Sequence, residues 1–444
     1  MRFFLSLLLA SVITVSFSQK KVLDHSDFDV WNAIKSPTIS SNGNFIMYSL
    51  EKGEKDNFLK IKDSKSKTVF TYERAQKGKF SYDSNFAFFT INPWKDSITE
   101  LKRKKVKKNK LPKDSLAIYN IKTKHLSKIG NIKSYKTPLK WSGYVAYQFE
   151  ENQNKKSTKK KDSLKTKKTS KKKGKKVSKE NGYHLVLMNL ATKKRDTFKF
   201  VTNYTFAEKG KYLAFTSTGK TLKANSSLHV YDLNKDKLSE IYQSKKAKYY
   251  QLNFSESGKN LAFVVDKDST KIQRRPNELY HWKDGDNSAQ KLVDNNSSPK
   301  GYKVSSNGRV SFSEDETKLF FGLATPEIVK DTTLIPEEIV NVEVWTYNEP
   351  RLYTVQELQV KNDKKKSYQT VIHLKNKRLI QIADTTYPSV TLSRKRNANH
   401  ALVENPTPYQ IQSQWDALWL NDIAIVNVET GKRKKILTEV STRS

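Results

Sequence analysis

The chain of 444 residues contains no cysteine. That excludes disulfides, thiolate metal sites, a cysteine nucleophile and a lipid-bearing N-terminal cysteine. Histidine is scarce and scattered, at His25, His125, His184, His229, His281, His373 and His400. No H-E-x-x-H or other close metal pair occurs among them. Three of them, His184, His229 and His373, fall in strand patterns and are read as structural. There is no G-x-S-x-G nucleophile elbow; Ser142 and Ser257 stand beside glycines, but in turns. No phosphate-binding glycine loop or dinucleotide fingerprint is present. Asp284-Gly285-Asp286-Asn287 is a turn with too few ligands around it for a calcium loop. The residues therefore name no catalytic position, no cofactor and no metal ligand. Beyond the N-terminus, no apolar run is long enough to span a bilayer.

Acid is also in short supply: the formal net charge is +38. The excess is local. Lys102 to Lys113 carries eight basic residues and no acid, and Lys155 to Lys179 carries fourteen lysines against the single Asp162. Together the two runs hold +21 of the +38. Blocks of like charge repel themselves and do not pack. Both runs fall between two strand patterns, where a hairpin turn belongs, and are expected to be disordered hairpin insertions. An electrostatic patch for a polyanion is the functional alternative. Neither run interleaves aromatic residues, so no specific nucleic acid is expected as a partner.

What the chain does have is a repeat. Leu252 to Phe263 reads as a polar turn, Ser255-Glu256-Ser257-Gly258-Lys259, followed by an apolar strand, Leu261-Ala262-Phe263-Val264-Val265. Variants precede Phe45-Ile46-Met47-Tyr48, Phe86-Ala87-Phe88-Phe89, Tyr212-Leu213-Ala214-Phe215 and Lys318-Leu319-Phe320-Phe321. Weaker copies precede Tyr144 and Ala401. Most are followed by a second strand of alternating type, as in Leu228 to Leu233. Short strands and polar turns in a long repeat predict an all-β chain, a β-propeller of seven or eight four-stranded blades, the last left incomplete at the C-terminus. A blade cannot bury both faces alone, so the units must stack. The seventh unit is expected to combine Tyr368 to Leu374, Leu379 to Ala383 and Ala401 to Glu404. Gly210 and Gly258 are read as turn residues that need positive φ.

Residues 1–18 read as a secretory signal: Arg2, an apolar core from Phe3 to Val15, and small residues before Gln19. Export to the periplasm or the extracellular space is expected. A lead-in segment follows over 19–35, and the propeller is expected over 36–444, with the insertions at 102–113 and 155–179. Glu337-Glu338 is a pair of adjacent carboxylates of the kind that can hold a peptide amine. No flanking residue supports that role, and the pair is read as a surface loop.

Val342-Glu343-Val344-Trp345-Thr346-Tyr347-Asn348-Glu349-Pro350-Arg351-Leu352, with Gln356 after it, resembles a segment of exported prolyl oligopeptidase-family serine peptidases of the Bacteroidetes type. Phe28-Asp29-Val30-Trp31, Lys113-Asp114-Ser115-Leu116, and Asn405-Pro406-Thr407-Pro408-Tyr409 before Trp415 are similar too. The resemblance implies an N-terminal propeller that restricts access to a C-terminal α/β-hydrolase domain, so that peptides reach its serine. The hydrolase half has no counterpart in this sequence, and no catalytic residue is carried over. Two expectations remain. One is a substrate-gating propeller that acts on peptide substrates only when joined to a hydrolase domain. The other is a free-standing secreted propeller that binds a protein or polyanionic partner without catalysis.

Overall fold

The computed structural model describes residues 23–25, 27, 31–53, 55–150, 182–219, 225–268, 270, 272–329, 331–340, 342, 345–416 and 418–441. The signal segment 1–18 and the second basic run, 155–179, lie outside them. Strand makes up 47% and helix 9%, which fixes the class as all-β. The chain divides into two compact units, residues 1–131 and 132–444.

The first unit holds two antiparallel four-stranded sheets. One consists of β1 (Asn32–Ile39), β2 (Phe45–Lys52), β3 (Phe58–Asp63) and β4 (Thr68–Glu73). The other consists of β5 (Ala75–Phe80), β6 (Phe86–Ile91), β7 (Ser115–Asn120) and β8 (Leu126–Ile129). Met47, Leu59 and Ile61 of the first pack against Ala87, Phe89, Ala117 and Tyr119 of the second. Phe70 stacks on Tyr119 with ring centroids 4.0 Å apart. The first sheet therefore starts at Asn32, inside the stretch assigned to a lead-in. Asn32 pairs with Lys52 and Ala33 with Glu51, so these residues are already ladder.

The second unit opens with seven consecutive strands in one sheet: β9 (Ile132–Lys136), β10 (Tyr144–Phe149), β11 (Tyr183–Asn189), β12 (Arg195–Phe206), β13 (Tyr212–Ser217), β14 (Asn225–Asp232) and β15 (Lys237–Lys245). β12 serves two meanders. It pairs with β11 up to Val201 and with β13 from Val201 onward. Next come β16 (Lys248–Phe254), β17 (Asn260–Asp266), β18 (Asn277–Lys283) and β19 (Gln290–Val293). In the following sheet, β20 (Lys303–Val304) and β21 (Ser311–Phe312) both pair with β22 (Lys318–Ala324), which is followed by β23 (Tyr368–His373) and β24 (Leu379–Gln381). The last sheet is β25 (Ser389–Thr391), β26 (His400–Asn405), β27 (Leu420–Asn427) and β28 (Arg433–Ser441).

These successive antiparallel meanders are the blades of a β-propeller. Their stacking is legible in β17, every residue of which is buried. Leu261, Phe263 and Val265 join a core with β13 and β14, while Ala262 and Val264 join a core with β22 and β23. A strand alternates its side chains between two faces. Here both faces are covered by sheets, so both alternating sets are apolar. β22 repeats the arrangement, with Phe321 toward one core and Phe320 toward the next.

The expected seventh unit is corrected. Tyr368–His373 pairs with β22, in the sheet before, and Ala401–Glu404 belongs to the sheet after. The long insertion between β22 and β23 hides their hairpin relationship in the sequence. The last sheet has four strands. Between β6 and β7, where a disordered loop was expected over 102–113, the chain forms α1 (Lys95–Arg103) and a short 3-10 turn, Lys108–Lys110. Lys104 pairs with Glu100 one turn back, which offsets part of the repulsion.

The repeated turn is closed by one serine. Ser40, Ser81, Ser255 and Ser313 are each buried. Each hydroxyl accepts the backbone N–H five residues on: Phe45 at 2.9 Å, Phe86 at 2.9 Å, Asn260 at 3.1 Å and Lys318 at 3.0 Å. Each serine N–H donates to the carbonyl of that same residue. In the remaining strong copy Ala207 keeps only the backbone bond, 3.0 Å to Tyr212. Turns also bond to the next turn. In the first unit Asn42 N donates to Ser84 Oγ at 3.2 Å. In the second, Lys209 N donates to the Glu256 carbonyl at 2.9 Å and Ser257 N to Glu316 Oε1 at 2.9 Å. Gly258 has φ +82°, as a tight turn requires. Gly210 does not; its requirement is space, because a Cβ there would lie 2.1 Å from the Ser257 carbonyl oxygen.

Candidate functional site

Among the described residues no three His, Asp or Glu side chains converge on a metal position. Two of the histidines on strands are held by hydrogen bonds within the fold. His281 Nε2 donates to Asn260 Oδ1 at 2.9 Å, and His373 Nε2 donates to the Val428 carbonyl at 3.1 Å. His184 is buried against Phe200, and desolvation followed by Lys199 holds it below the ordinary imidazole range.

One serine–histidine contact exists that the sequence did not signal. Ser227 and His229 are two apart on β14 and so share a face. Their Oγ and Nε2 are 2.8 Å apart. The nearest carboxylate, Glu240, lies 3.8 Å from the same Nε2, and His229 Nδ1 is buried without a partner. A triad needs the acid on the far nitrogen, where it fixes tautomer and orientation. Burial also pushes the His229 pKa down. Ser227 is itself buried, so the pair is a satisfied sheet contact rather than a nucleophile and its base.

The most unusual surface is the insertion between β22 and β23. It contains a 3-10 turn, Pro336–Glu338, and α2 (Tyr353–Asp363). Glu337 and Glu338 are exposed, and the Glu338 carboxylate accepts the Ile335 N–H at 3.1 Å. It braces its own turn, as the surface-loop reading expects. No residue of α2 is buried. Leu358 is 82% exposed, Trp345 68% and Tyr347 95%. Water-facing apolar groups on this scale mark an interaction surface.

The surface is nonetheless tightly built. Trp345 stacks on Tyr353, centroids 4.8 Å apart. Arg351 grips Asp363 through both terminal nitrogens, at 3.3 and 2.8 Å, and also donates to Gln359 at 2.7 Å. The guanidinium holds the Asp363 carboxyl below the usual carboxylate range. Gln356 Nε2 donates to the Arg351 carbonyl at 2.8 Å, tying the start of α2 to the preceding chain. A second segment, from Asn405 onward, joins it: Gln414 Nε2 donates to the Glu349 carbonyl at 2.8 Å. Trp415, beside that contact, is 75% exposed. Thus the stretch around Trp345 and the stretch before Trp415, far apart in sequence, meet in space. Asn341, Glu343 and Val344 lie outside the described residues.

No family model and no curated protein matches the sequence. Solved structures similar to the chain are all of low identity, and one is a eukaryotic initiation factor, 10% identical, TM-score 0.46, over 92% of this chain and 77% of that one. The β-propeller domain of the trilobed protease from Pyrococcus furiosus is 11% identical, TM-score 0.36, over 93% of this chain and 97% of that one. A structure from a study of two prolyl endopeptidases is 11% identical, TM-score 0.40, over 93% of this chain and 50% of that one. The acylaminoacyl peptidase of Pyrococcus horikoshii is 9% identical, TM-score 0.35, over 94% of this chain and 54% of that one. The chain therefore spans about half the length of these last two peptidases.

Proposed function

We propose that the chain is the substrate-gating propeller of an exported, Bacteroidetes-type prolyl oligopeptidase-family serine peptidase, acting in peptide hydrolysis together with an α/β-hydrolase domain. The observation that carries this reading is the meeting of the Trp345 and Trp415 segments. Both belong to the resemblance, Gln414 and Glu349 join them, and Trp345, Tyr347 and Trp415 are exposed beside that junction. A rigid aromatic patch is what a permanent apolar neighbour such as a second domain would cover. Serine peptidase chemistry needs a nucleophile held against a base, with donors aimed at the oxyanion. Ser227 and His229 do not supply it, so the hydrolase supplies the reaction and the propeller restricts what reaches it. Export to the periplasm or the extracellular space belongs to the same proposal, supported by the sequence of residues 1–18.

The purified chain, assayed with chromogenic proline-containing peptides and a serine-reactive phosphonate, tests this division of labour. The expected result is no turnover and no labelling. Steady turnover with stoichiometric labelling of one serine would overturn it.

A further inference from the structure

The first unit carries a cleft of about 1900 Å³. Its walls come from β1, the turn between β2 and β3, the β4–β5 corner and one face of α1, which contributes Lys95, Ile98, Thr99 and Lys102 at helical spacing. The lining is polar and of mixed sign, with seven cationic side chains and four carboxylates. Five of the cations, Lys35, Lys52, Arg74, Lys102 and Arg103, form no ion pair among the described residues. Nor do the carboxylates, Glu51, Asp56, Glu73 and Asp96. Opposite charges thus share one cleft without neutralising each other, and both sets are available to a ligand. Two of the cations are held in place by aromatic rings. The Arg74 guanidinium lies 4.1 Å from the centre of the Trp94 ring, and its Nη1 donates to the Asn92 carbonyl at 3.2 Å. Lys52 Nζ lies 5.1 Å from the centre of the Phe58 ring. Lys102 and Arg103 stand in the last turn of α1, a helix with no buried residue.

This mixture narrows the ligand. The cations, in excess, call for anions. The carboxylates are acceptors only and call for hydrogen-bond donors. A ligand that suits both carries anions and hydroxyl groups on one chain. A single nucleic-acid strand carries an anion on every nucleotide and few hydroxyls, so the carboxylates repel it without compensation. It also binds by stacking bases on open aromatic faces, and here a cation already lies over the rings of Trp94 and Phe58. A saccharide that bears carboxylates meets both demands, since each ring offers several hydroxyls beside its anion. The volume exceeds the roughly 300–1,000 Å³ usual for a small-molecule pocket, which leaves room for more than one ring. We infer that this cleft binds short oligosaccharides of uronic acids, with their carboxylates on Arg74, Lys102 and Arg103 and their hydroxyls donating to Glu51 and Glu73. Such a site lies wholly in the first unit and requires no hydrolase.

The test is titration of the full chain with tetragalacturonic acid, its methyl ester and a single-stranded oligothymidylate of equal charge, followed by tryptophan fluorescence and calorimetry. The acid should bind at least about tenfold more tightly than the ester, because esterification removes the charge-assisted contacts. It should also bind more tightly than the oligothymidylate. R74Q should weaken binding of the acid at least about fivefold and leave the ester as before. The double variant of Glu51→Ala and Glu73→Ala separates this site from a bare basic patch. A basic patch would hold the acid more tightly once two repelling charges are gone. The uronate site should hold it more weakly, since the ring hydroxyls lose their acceptors. Equal affinity for acid and ester would overturn the inference. So would binding of neither, preference for the oligothymidylate, no loss in R74Q, or binding by the double glutamate variant that is unchanged or tighter. Should R74Q fail to fold, the joint variant K102Q and R103Q takes its place with the same expected loss, because α1 has no buried residue to disturb.

Discussion

At the scale of single residues, the turn serines carry more than their exposed surroundings suggest. Ser255 Oγ is the acceptor for a buried backbone N–H that has no other partner. Ser255→Ala orphans that donor and should cost about 1–3 kcal/mol, read as a lowered denaturant midpoint at constant m. Ala207 shows that the turn survives without the hydroxyl, so loss of stability rather than loss of fold is expected. Glu316 is a second case. Burial acts to raise its pKa, but hydrogen bonds from Ser257 and Asn260 outweigh that and hold it below the ordinary value of 4.5. A depressed folded pKa means stabilisation present above the unfolded value and lost as pH falls through the folded one. Glu316→Gln should therefore be less stable than the unaltered chain at neutral pH. The gap should close as melting is followed down to about pH 3. A gap that stays constant would show that the carboxylate charge is not involved.

Elements were legible in the sequence where one chemistry dominated. β6 and β17 announced themselves through a polar turn followed by an apolar run, because both of their faces are buried, and β2 and β3 through alternation, because only one face is. The edge strands β5, β9 and β16, each the first of its sheet, were missed. Each mixes polar with apolar residues, and β5 and β16 are broken by bulges at Gln76/Lys79 and Tyr250/Asn253. The bulges place Lys77 and Gln251 at positive φ, a conformation that nothing in those residue types signals. α1 was hidden because a basic run suggests repulsion, whereas Glu100 and the preceding Lys95-Asp96 turn suffice to start a helix. The split of β20 from β21 has a cause that only packing reveals. Gly308 lies between them, and a Cβ on Gly322 of β22 would come within 2.6 Å of its Cα. Gly322→Ala should overpack this contact and cost about 1–3 kcal/mol in chemical denaturation. Phe321→Ala, one residue before it in the same strand, should cost about 3–5 kcal/mol, since that side chain is fully buried.

At the scale of the molecule, the sequence indicated a propeller and, through resemblance, the Trp345 and Trp415 stretches, but not that those stretches touch. Contact between residues near 349 and 414 depends on β22, β23, β26 and β27 lying in neighbouring sheets. No local pattern states that. Nor could it show that Ser227 and His229 meet without forming a catalytic arrangement, because only the placement of Glu240 decides the matter. The exposed cluster around Trp345 and Trp415 contributes nothing buried to either sheet. Trp345→Ala and Trp415→Ala should therefore leave chemical stability within about 0.5 kcal/mol of the unaltered chain. The same substitutions should weaken any docking through this surface, where large aromatic side chains carry most of the binding energy.

The decisive measurement is the association of this chain with the α/β-hydrolase domain of a prolyl oligopeptidase-family peptidase encoded in the same frame or beside it, by analytical ultracentrifugation. The account predicts a one-to-one complex, at least tenfold weaker when Trp345 and Trp415 are both alanine. Absence of a complex, or one that forms equally well with the double variant, would contradict it.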